Sequence, residues 1–204
     1  MVVVGSGAMA VQMSPDLGVE LLINAVSTVL ALGILIYIFG SVSGAHFNPV
    51  VSISEWAQKR LSLSEAIALI AAQCAGGIAG AMIANLMYKH PAYFPSHHIR
   101  TGTAIWLGEV IATAGLLFLI QVLTGSKAHL APVVIAGWIG SAYFFTSSTS
   151  FANPAVTLAR SVSDTFSGIA LKSVGAFIVA QILGAILGTA IGNYFKSAEK
   201  RESE

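Results

Sequence analysis

The fold of this chain is decided by two short stretches, SGAHFNPV at residues 43–50 and TSFANPA at residues 149–155. In each stretch an Asn precedes a Pro, and this pair favours the start of a helix. Asn caps the first turn with its side-chain oxygen, and Pro suits the first helical position. Short helices are predicted over about 48–58 and 153–164, each too short to cross a bilayer. One Asn-Pro pair would be a weak signal, but Asn48 and Asn153 lie 105 residues apart, which indicates an internal repeat.

Long apolar runs surround these two stretches. The chain is 55% hydrophobic and only 9% charged, whereas about a quarter of the residues in a soluble domain are charged. Five runs come close to the roughly 20 apolar residues that span a bilayer, at about 17–40, 64–88, 101–123, 130–148 and 169–194. These runs are expected to be helices, because a lipid-exposed strand would leave its backbone groups unpaired.

A second match between the two halves supports the repeat. The sequence AAQCAG at residues 71–76 resembles VAQILG at residues 179–184, now 108 residues apart, so the second copy has three extra residues after its short helix. In both copies small residues recur at every fourth position, which is typical of close helix contact. They are Ala72, Gly76 and Gly80 in the first copy and Ala180, Gly184 and Gly188 in the second. Each copy has the order span, short helix, span. A third span per copy, counting the apolar residues 1–11, would invert the second copy relative to the first.

We therefore predict an all-α membrane protein built as an inverted repeat of transmembrane helices with two re-entrant half-helices that meet at mid-membrane. The apolar residues 1–11 would cross only half a bilayer, so the first span is expected to be truncated. A single channel domain is expected over 1–204, with a first repeat at about 1–90 and a second at about 101–195. The charged residues 196–204 are expected to form a frayed cytoplasmic tail.

These features resemble the aquaporin and glycerol-facilitator family, whose signature is a pair of Asn-Pro-Ala motifs on inverted half-helices. The resemblance covers essentially the whole chain and implies a homotetramer in the cell (inner) membrane, with one pore through each subunit. By this resemblance His46 supports the first half-helix, and Glu109 is a buried acceptor that braces the re-entrant backbone. The pore motif would be formed by Asn48, Pro49, Val50, Asn153, Pro154 and Ala155.

The chain departs from the family pattern most clearly at Val156. The family usually has an Arg at this position, directly after the second motif, where it narrows the outer mouth and repels cations. The nearest arginine is Arg160, one helical turn later, and it is expected nearer the outer surface, although its side chain could also swing back to complete the filter. Val50 replaces the usual Ala of the first motif, a change expected to alter packing modestly.

The resemblance also places the other walls of the selectivity filter by their spacing from the two motif asparagines. The implied filter is wide and mildly polar, because all its members are small and three carry hydroxyls: Thr28, Ser141, Ser150 and Val156. A Val in place of the Arg resembles a bacterial aquaglyceroporin subgroup linked to arsenic handling. We therefore expect a passive channel for arsenite, methylated arsenicals, glycerol-like polyols and water, with weaker exclusion of cations than in a strict water channel.

Three alternatives stay open. The chain could be an ordinary water or glycerol channel in which Arg160 completes the filter. A coupled transporter would also use inverted repeats, but it normally needs ionisable groups at mid-membrane. An intramembrane serine hydrolase would need a His within reach of a nucleophile, and His46 is the candidate near membrane depth. We expect no enzymatic activity, no cofactor or metal, and no nucleic-acid partner.

Overall fold

The computed structural model describes residues 1–202 of the chain, and in this part the regular structure is helical. A 3₁₀ turn at Gly125–Leu130 leads into the sixth α-helix. The α-helices are α1 Val2–Met13, α2 Leu17–Ser43, α3 Pro49–Ala57, α4 Leu63–Met87, α5 Thr103–Val122, α6 Ala131–Phe145, α7 Pro154–Arg160 and α8 Leu171–Glu202. Two short helices, α3 and α7, therefore each lie between two long ones, as the repeat predicts.

The predicted membrane spans are confirmed to within a few residues. Five helical segments are long and apolar enough to cross a bilayer: Leu17–Ser43, Leu63–Met87, Thr103–Val122, Gly125–Phe145 and Leu171–Ala198. Helix α1 has 12 residues, in agreement with the short apolar run at the start of the sequence. The prediction of a frayed tail over 196–204 is wrong as far as the structure reaches, because α8 continues to Glu202. The rest of that tail, residues 203–204, lies outside the described residues.

Both half-helices begin at the asparagines that the sequence indicates. The Asn48 side chain accepts a hydrogen bond from the Val50 amide at the start of α3. At the start of α7, the Asn153 side chain accepts from the amides of Ala155 and Val156. Each cap satisfies backbone donors that an uncapped helix would leave unpaired inside the bilayer. Helix α7 ends at Arg160, about a turn before the predicted end near residue 164.

Contacts between the helices follow the same order in the two repeats. Helix α1 packs against α4, and the equivalent helices α5 and α8 also pack together. The half-helices cross between repeats, since α7 contacts α4 and α3 contacts α8. The first and second repeats also meet where α2 packs against α6. Each half-helix is thus held by helices from both halves of the chain.

Glycines on α8 allow it to approach α5 at backbone distance. A Cβ added to Gly188 would lie 2.0 Å from the carbonyl oxygen of Ala114, and one added to Gly184 would lie 2.5 Å from that of Val110. Both distances are far shorter than side chains tolerate, so the contact depends on the missing Cβ atoms. In contrast, a Cβ on Gly175 of the same helix would meet nothing within 4 Å.

This difference predicts unequal effects of the same substitution along one helix. Gly188→Ala should force α8 away from α5 and lower the free energy of unfolding by about 1–3 kcal/mol, as overpacking usually does. Gly175→Ala is the matched control, and it should leave stability unchanged or raise it slightly through better helix propensity. The measurement is the thermal unfolding midpoint of each purified protein in detergent. Equal midpoints for both variants would contradict the close α5–α8 contact.

Candidate functional site

The Asn-capped ends of the two half-helices are joined by a reciprocal pair of hydrogen bonds. Asn48 Nδ2 donates to the carbonyl oxygen of Ala152 at 2.8 Å, and Asn153 Nδ2 donates to that of Phe47, also at 2.8 Å. Each NH₂ group has two hydrogens, and one of them binds the opposite loop. One hydrogen on each Asn remains for a solute.

The two loops before the half-helices share an unusual backbone conformation. In the first loop Ala45 and Phe47 have φ angles of 47° and 47°, and in the second Ser150 and Ala152 have 49° and 48°. Residues with a side chain rarely adopt this left-handed region, so the surrounding structure must hold them there. Because Ala45 and Ser150 are 105 residues apart, as are Phe47 and Ala152, the repeat extends to the backbone angles.

A buried carboxylate holds the second loop in this conformation. Glu109 on α5 accepts hydrogen bonds from the amides of Phe151 at 2.8 Å and Ala152 at 2.9 Å. Gln181 on α8 donates to the same carboxylate at 2.6 Å and to the hydroxyl of Thr157 at 2.8 Å. Glu109 is fully buried. It is therefore a buried acceptor for re-entrant backbone, in the position where the resemblance implies one.

Neutral side chains support the first half-helix. Ser52 on α3 lies 3.1 Å from Nδ1 of His46 and accepts a hydrogen bond from Gln73 on α4 at 3.0 Å. Gln73 is the repeat equivalent of Gln181, and Ser52 is the equivalent of Thr157. His46 thus contacts the half-helix that the sequence expects it to support. In each half of the site, a glutamine on a long helix therefore donates to a hydroxyl on a half-helix.

A cavity of 1320 Å³ is lined by both motif asparagines, Asn48 and Asn153. Near the end of α3 it is lined by Glu55 and Arg60, and near the end of α7 by Arg160. Because α3 and α7 lead away from their joined N-terminal ends, these charged residues lie at opposite ends of the cavity. Ala155 also lines it. The other motif residues, Pro49, Val50 and Pro154, are buried beside it, and Val50 packs in the main apolar core.

Three of the expected filter residues line this cavity together. They are Thr28 on α2, Ser150 in the second loop and Val156 on α7. Ser150 is 2% exposed, and its hydroxyl has no hydrogen-bond partner among the described residues. A buried hydroxyl without a partner is costly, so one beside a cavity is well placed to bond a passing solute.

The fourth expected filter residue, Ser141, does not line this cavity. Ser141 is exposed, its hydroxyl donates to the carbonyl oxygen of Trp138, and it lines a separate shallow groove between α2 and α6. The reason is the phase of α6, which determines which of its side chains face the cavity. The cavity face of α6 is formed by Pro132, Ile135, Ile139 and Tyr143, which recur three or four residues apart. Ser141 lies two residues from the last two of these, about 200° around the helix.

Tyr143 therefore supplies the α6 wall that the sequence assigned to Ser141. Its side chain is 3% exposed, and its hydroxyl donates to Oγ1 of Thr28 at 3.3 Å. On the α6 side, this group of cavity-lining residues therefore has an aromatic ring where the sequence predicts a small hydroxyl side chain. The spacing of Ile135, Ile139 and Tyr143 is the signal that could have identified this residue from the sequence.

Arg160 is buried rather than near the outer surface, which corrects the expectation from the sequence. Its side chain is turned inward, with Nε bonded to the carbonyl oxygen of Ser167 and Cζ 3.3 Å from the centre of the Phe151 ring. A guanidinium over an aromatic face is stabilised by the ring quadrupole, and the carbonyl satisfies one of its donors. The residue is 2% exposed and lines the cavity with Val156.

A second arginine, which the sequence did not single out, shares this environment. Arg100 lies 5.2 Å from the centre of the same Phe151 ring. It donates to the carbonyl oxygens of Gly168 at 2.8 Å and Phe166 at 3.1 Å. The segment 166–168 therefore binds both guanidinium groups through consecutive carbonyls. No pattern in the sequence of that segment marks it as a binding partner for arginine.

Sequence comparisons match nearly the whole chain to a known family. The family model described as Major intrinsic protein matches residues 1–150 and 133–204. The aquaglyceroporin AqpS of Rhizobium meliloti (strain 1021) is 44% identical over 191 residues, which cover 93% of this chain and 81% of that protein. Aquaporin NIP3-1 of Arabidopsis thaliana is 28% identical over 187 residues, covering 86% of this chain and 57% of that protein.

Among solved structures, the fold is similar to that of the aquaglyceroporin from Plasmodium falciparum, with a TM-score of 0.64. The aligned part covers 95% of this chain and 89% of that one, at 21% sequence identity. At this identity the likeness concerns the fold alone. It supports the arrangement of long helices and half-helices described above.

The buried carboxylate generates a prediction about stability. Glu109→Gln keeps the shape of the side chain but turns one acceptor oxygen into a donor, which would face a backbone amide or Gln181. The unfolding free energy should fall by about 1–3 kcal/mol, the usual cost of an unsatisfied buried group. The measurement is the thermal midpoint in detergent.

The matched control for this prediction is Glu65→Gln at the start of α4. Glu65 forms a capping box with Ser62, and Gln serves that motif as well as Glu does. Its midpoint should therefore stay at the wild-type value. If Glu109→Gln behaves in the same way, the carboxylate is not what holds the second loop.

Proposed function

Because this chain belongs to the major intrinsic protein family, we propose that it is a passive channel for small uncharged solutes larger than water. Members of this family are multi-pass membrane channels for water and small solutes such as glycerol, and they are not enzymes. The finer proposal is that the constriction also admits undissociated arsenite, methylated arsenicals and glycerol-like polyols. Undissociated arsenite presents three hydroxyls at a size close to that of a small polyol.

The observation that carries this proposal is Val156. It follows the motif Asn153-Pro154-Ala155 directly and lines the cavity. The side chain has no charge and no hydrogen-bonding group, so it neither narrows the passage as a guanidinium would nor binds a solute. The hydroxyls of Thr28 and Ser150 on other walls provide the polar contacts.

A barrier to cations is retained at a different depth. Arg160 is one turn farther along α7 than Val156, about 6 Å at a rise of 1.5 Å per residue. Its buried guanidinium lines the same cavity, so a cation that enters from this end meets a positive charge before the constriction. The half-helices add roughly half a positive charge each at the cavity centre. We therefore expect stronger cation exclusion than the sequence alone suggested.

The inward position of Arg160 favours a second candidate function, an ordinary water and glycerol channel in which this residue completes the filter. The two candidates differ in where the narrowest point lies. With Val156 at the constriction, larger solutes pass, and Arg160 sets only the charge. With Arg160 as the narrowest element, shortening it would raise the flux of large solutes and replacing Val156 would matter little.

A coupled transporter is less well supported by the site. Such a protein needs an ionisable group at mid-membrane that changes its protonation or binds an ion. Glu109 is the carboxylate near the joined half-helices, and it is fully buried with both oxygens hydrogen-bonded. These bonds leave it as part of the scaffold. We propose in addition that the chain forms a homotetramer in the cell (inner) membrane, with residues 196–204 on the cytoplasmic side.

The permissive filter predicts a selective effect of restoring the arginine. Val156→Arg should reduce glycerol and arsenite flux at least about tenfold, because the longer side chain narrows the constriction, while water flux stays within about twofold. Val156→Ala is the matched control and should retain the flux of both solutes. The measurement is stopped-flow light scattering with proteoliposomes. Unchanged glycerol flux in Val156→Arg would contradict the filter assignment.

The positive charge of Arg160, one turn beyond Val156, predicts a separate effect on the conductance of cations. Arg160→Met keeps the length of the side chain but removes its charge, and Na⁺ and proton conductance should rise at least about tenfold. A unit charge about 4 Å from a cation costs several kcal/mol at an effective dielectric constant near 20. Arg160→Lys should preserve the low conductance. The measurement is the current across planar bilayers, and equal currents for all three proteins would show that the barrier lies elsewhere.

A further inference from the structure

We propose that Tyr143 and Thr28 act together as a hydroxyl pair that makes the channel select solutes by their number of hydroxyl groups. The inference rests on the proposed function, since it assigns a specificity role within the same constriction. It adds a residue, Tyr143, that the filter positions carried over from the family do not include. The substrate class it favours is polyols and undissociated oxyacids, over solutes of similar size with fewer hydroxyls.

The placement of Tyr143 is fixed by the cavity face of α6. Its neighbours on this face, Pro132, Ile135 and Ile139, are apolar. Tyr143 is thus the position at which this helix presents a hydrogen-bonding side chain to the cavity. It is 3% exposed, so packing around most of its ring limits the movement of its hydroxyl.

The hydrogen bond between the pair is long. Tyr143 Oη donates to Thr28 Oγ1 at 3.3 Å, whereas hydroxyl pairs usually lie about 2.7–2.8 Å apart. A long bond is a weak one, so exchanging it for a bond to a solute costs little. Both residues line the cavity, and a passing hydroxyl can donate to one oxygen while it accepts from the other.

A third hydroxyl, that of Ser150 in the second loop, extends the polar wall formed by Tyr143 and Thr28. Ser150 lines the same cavity, and its buried hydroxyl has no partner among the described residues. Val156 on α7 presents only methyl groups. A solute with several hydroxyls can therefore replace its lost water contacts on one side of the passage, while its carbon atoms face Val156. A solute with one hydroxyl replaces fewer of them and gains no advantage.

The test is a double-mutant cycle on this pair in proteoliposomes. Tyr143→Phe removes only the hydroxyl, and Thr28→Val replaces the other hydroxyl by a methyl group of similar volume. Each should lower the permeability ratio of glycerol to 1-propanol about two- to tenfold, the factor that one hydrogen bond contributes. The double variant should lower the ratio by less than the product of the single effects, because the two hydroxyls act on the same solute.

Tyr194→Phe is the matched control, since this tyrosine on α8 is 71% exposed and does not line the cavity. Its permeability ratio should equal that of the wild type. If Tyr143→Phe changes glycerol and 1-propanol permeability by the same factor, the residue sets only the width and the proposal is overturned. If the wild-type protein conducts neither water nor glycerol, the proposed channel function itself fails, and that result is separate from any ratio.

Discussion

The structure depends on two hydrogen bonds at the middle of the bilayer, from Asn48 to the Ala152 carbonyl and from Asn153 to the Phe47 carbonyl. Irregular backbone survives at this depth only where its polar groups are satisfied inside the protein or by water in a cavity. The reciprocal bonds, the two caps and the Glu109 carboxylate satisfy several of these groups. The close contact between α5 and α8 brings Glu109 and Gln181 together at this junction.

Much of this arrangement could be predicted from the sequence because its signals are local. An Asn-Pro pair specifies a cap and a helix start within four residues, and its recurrence after 105 residues specifies the repeat. Long apolar runs specify spans through length alone. A lone carboxylate such as Glu109 within a span must have a buried partner. These inferences need no knowledge of how distant segments meet.

The walls of the constriction were harder to predict, because they depend on helix phase and on loop carbonyls. Counting back from Asn153 selected Ser141, but the phase of α6 places Tyr143 on the cavity face instead. The direction of Arg160 is set by the Ser167 carbonyl and the Phe151 ring. The Ser167 carbonyl cannot be assigned as a partner from the sequence, since a carbonyl is present at every residue.

The paired left-handed residues also limit how the chain can change in length. Ala45 and Phe47 keep the spacing of Ser150 and Ala152, while the two copies fall out of step by three residues farther along, after the half-helices. One residue added within either loop would move an asparagine away from the opposite carbonyl. Added residues beyond the half-helices leave that junction intact. A change in chain length that preserves the junction is therefore expected only in the segments outside the two loops.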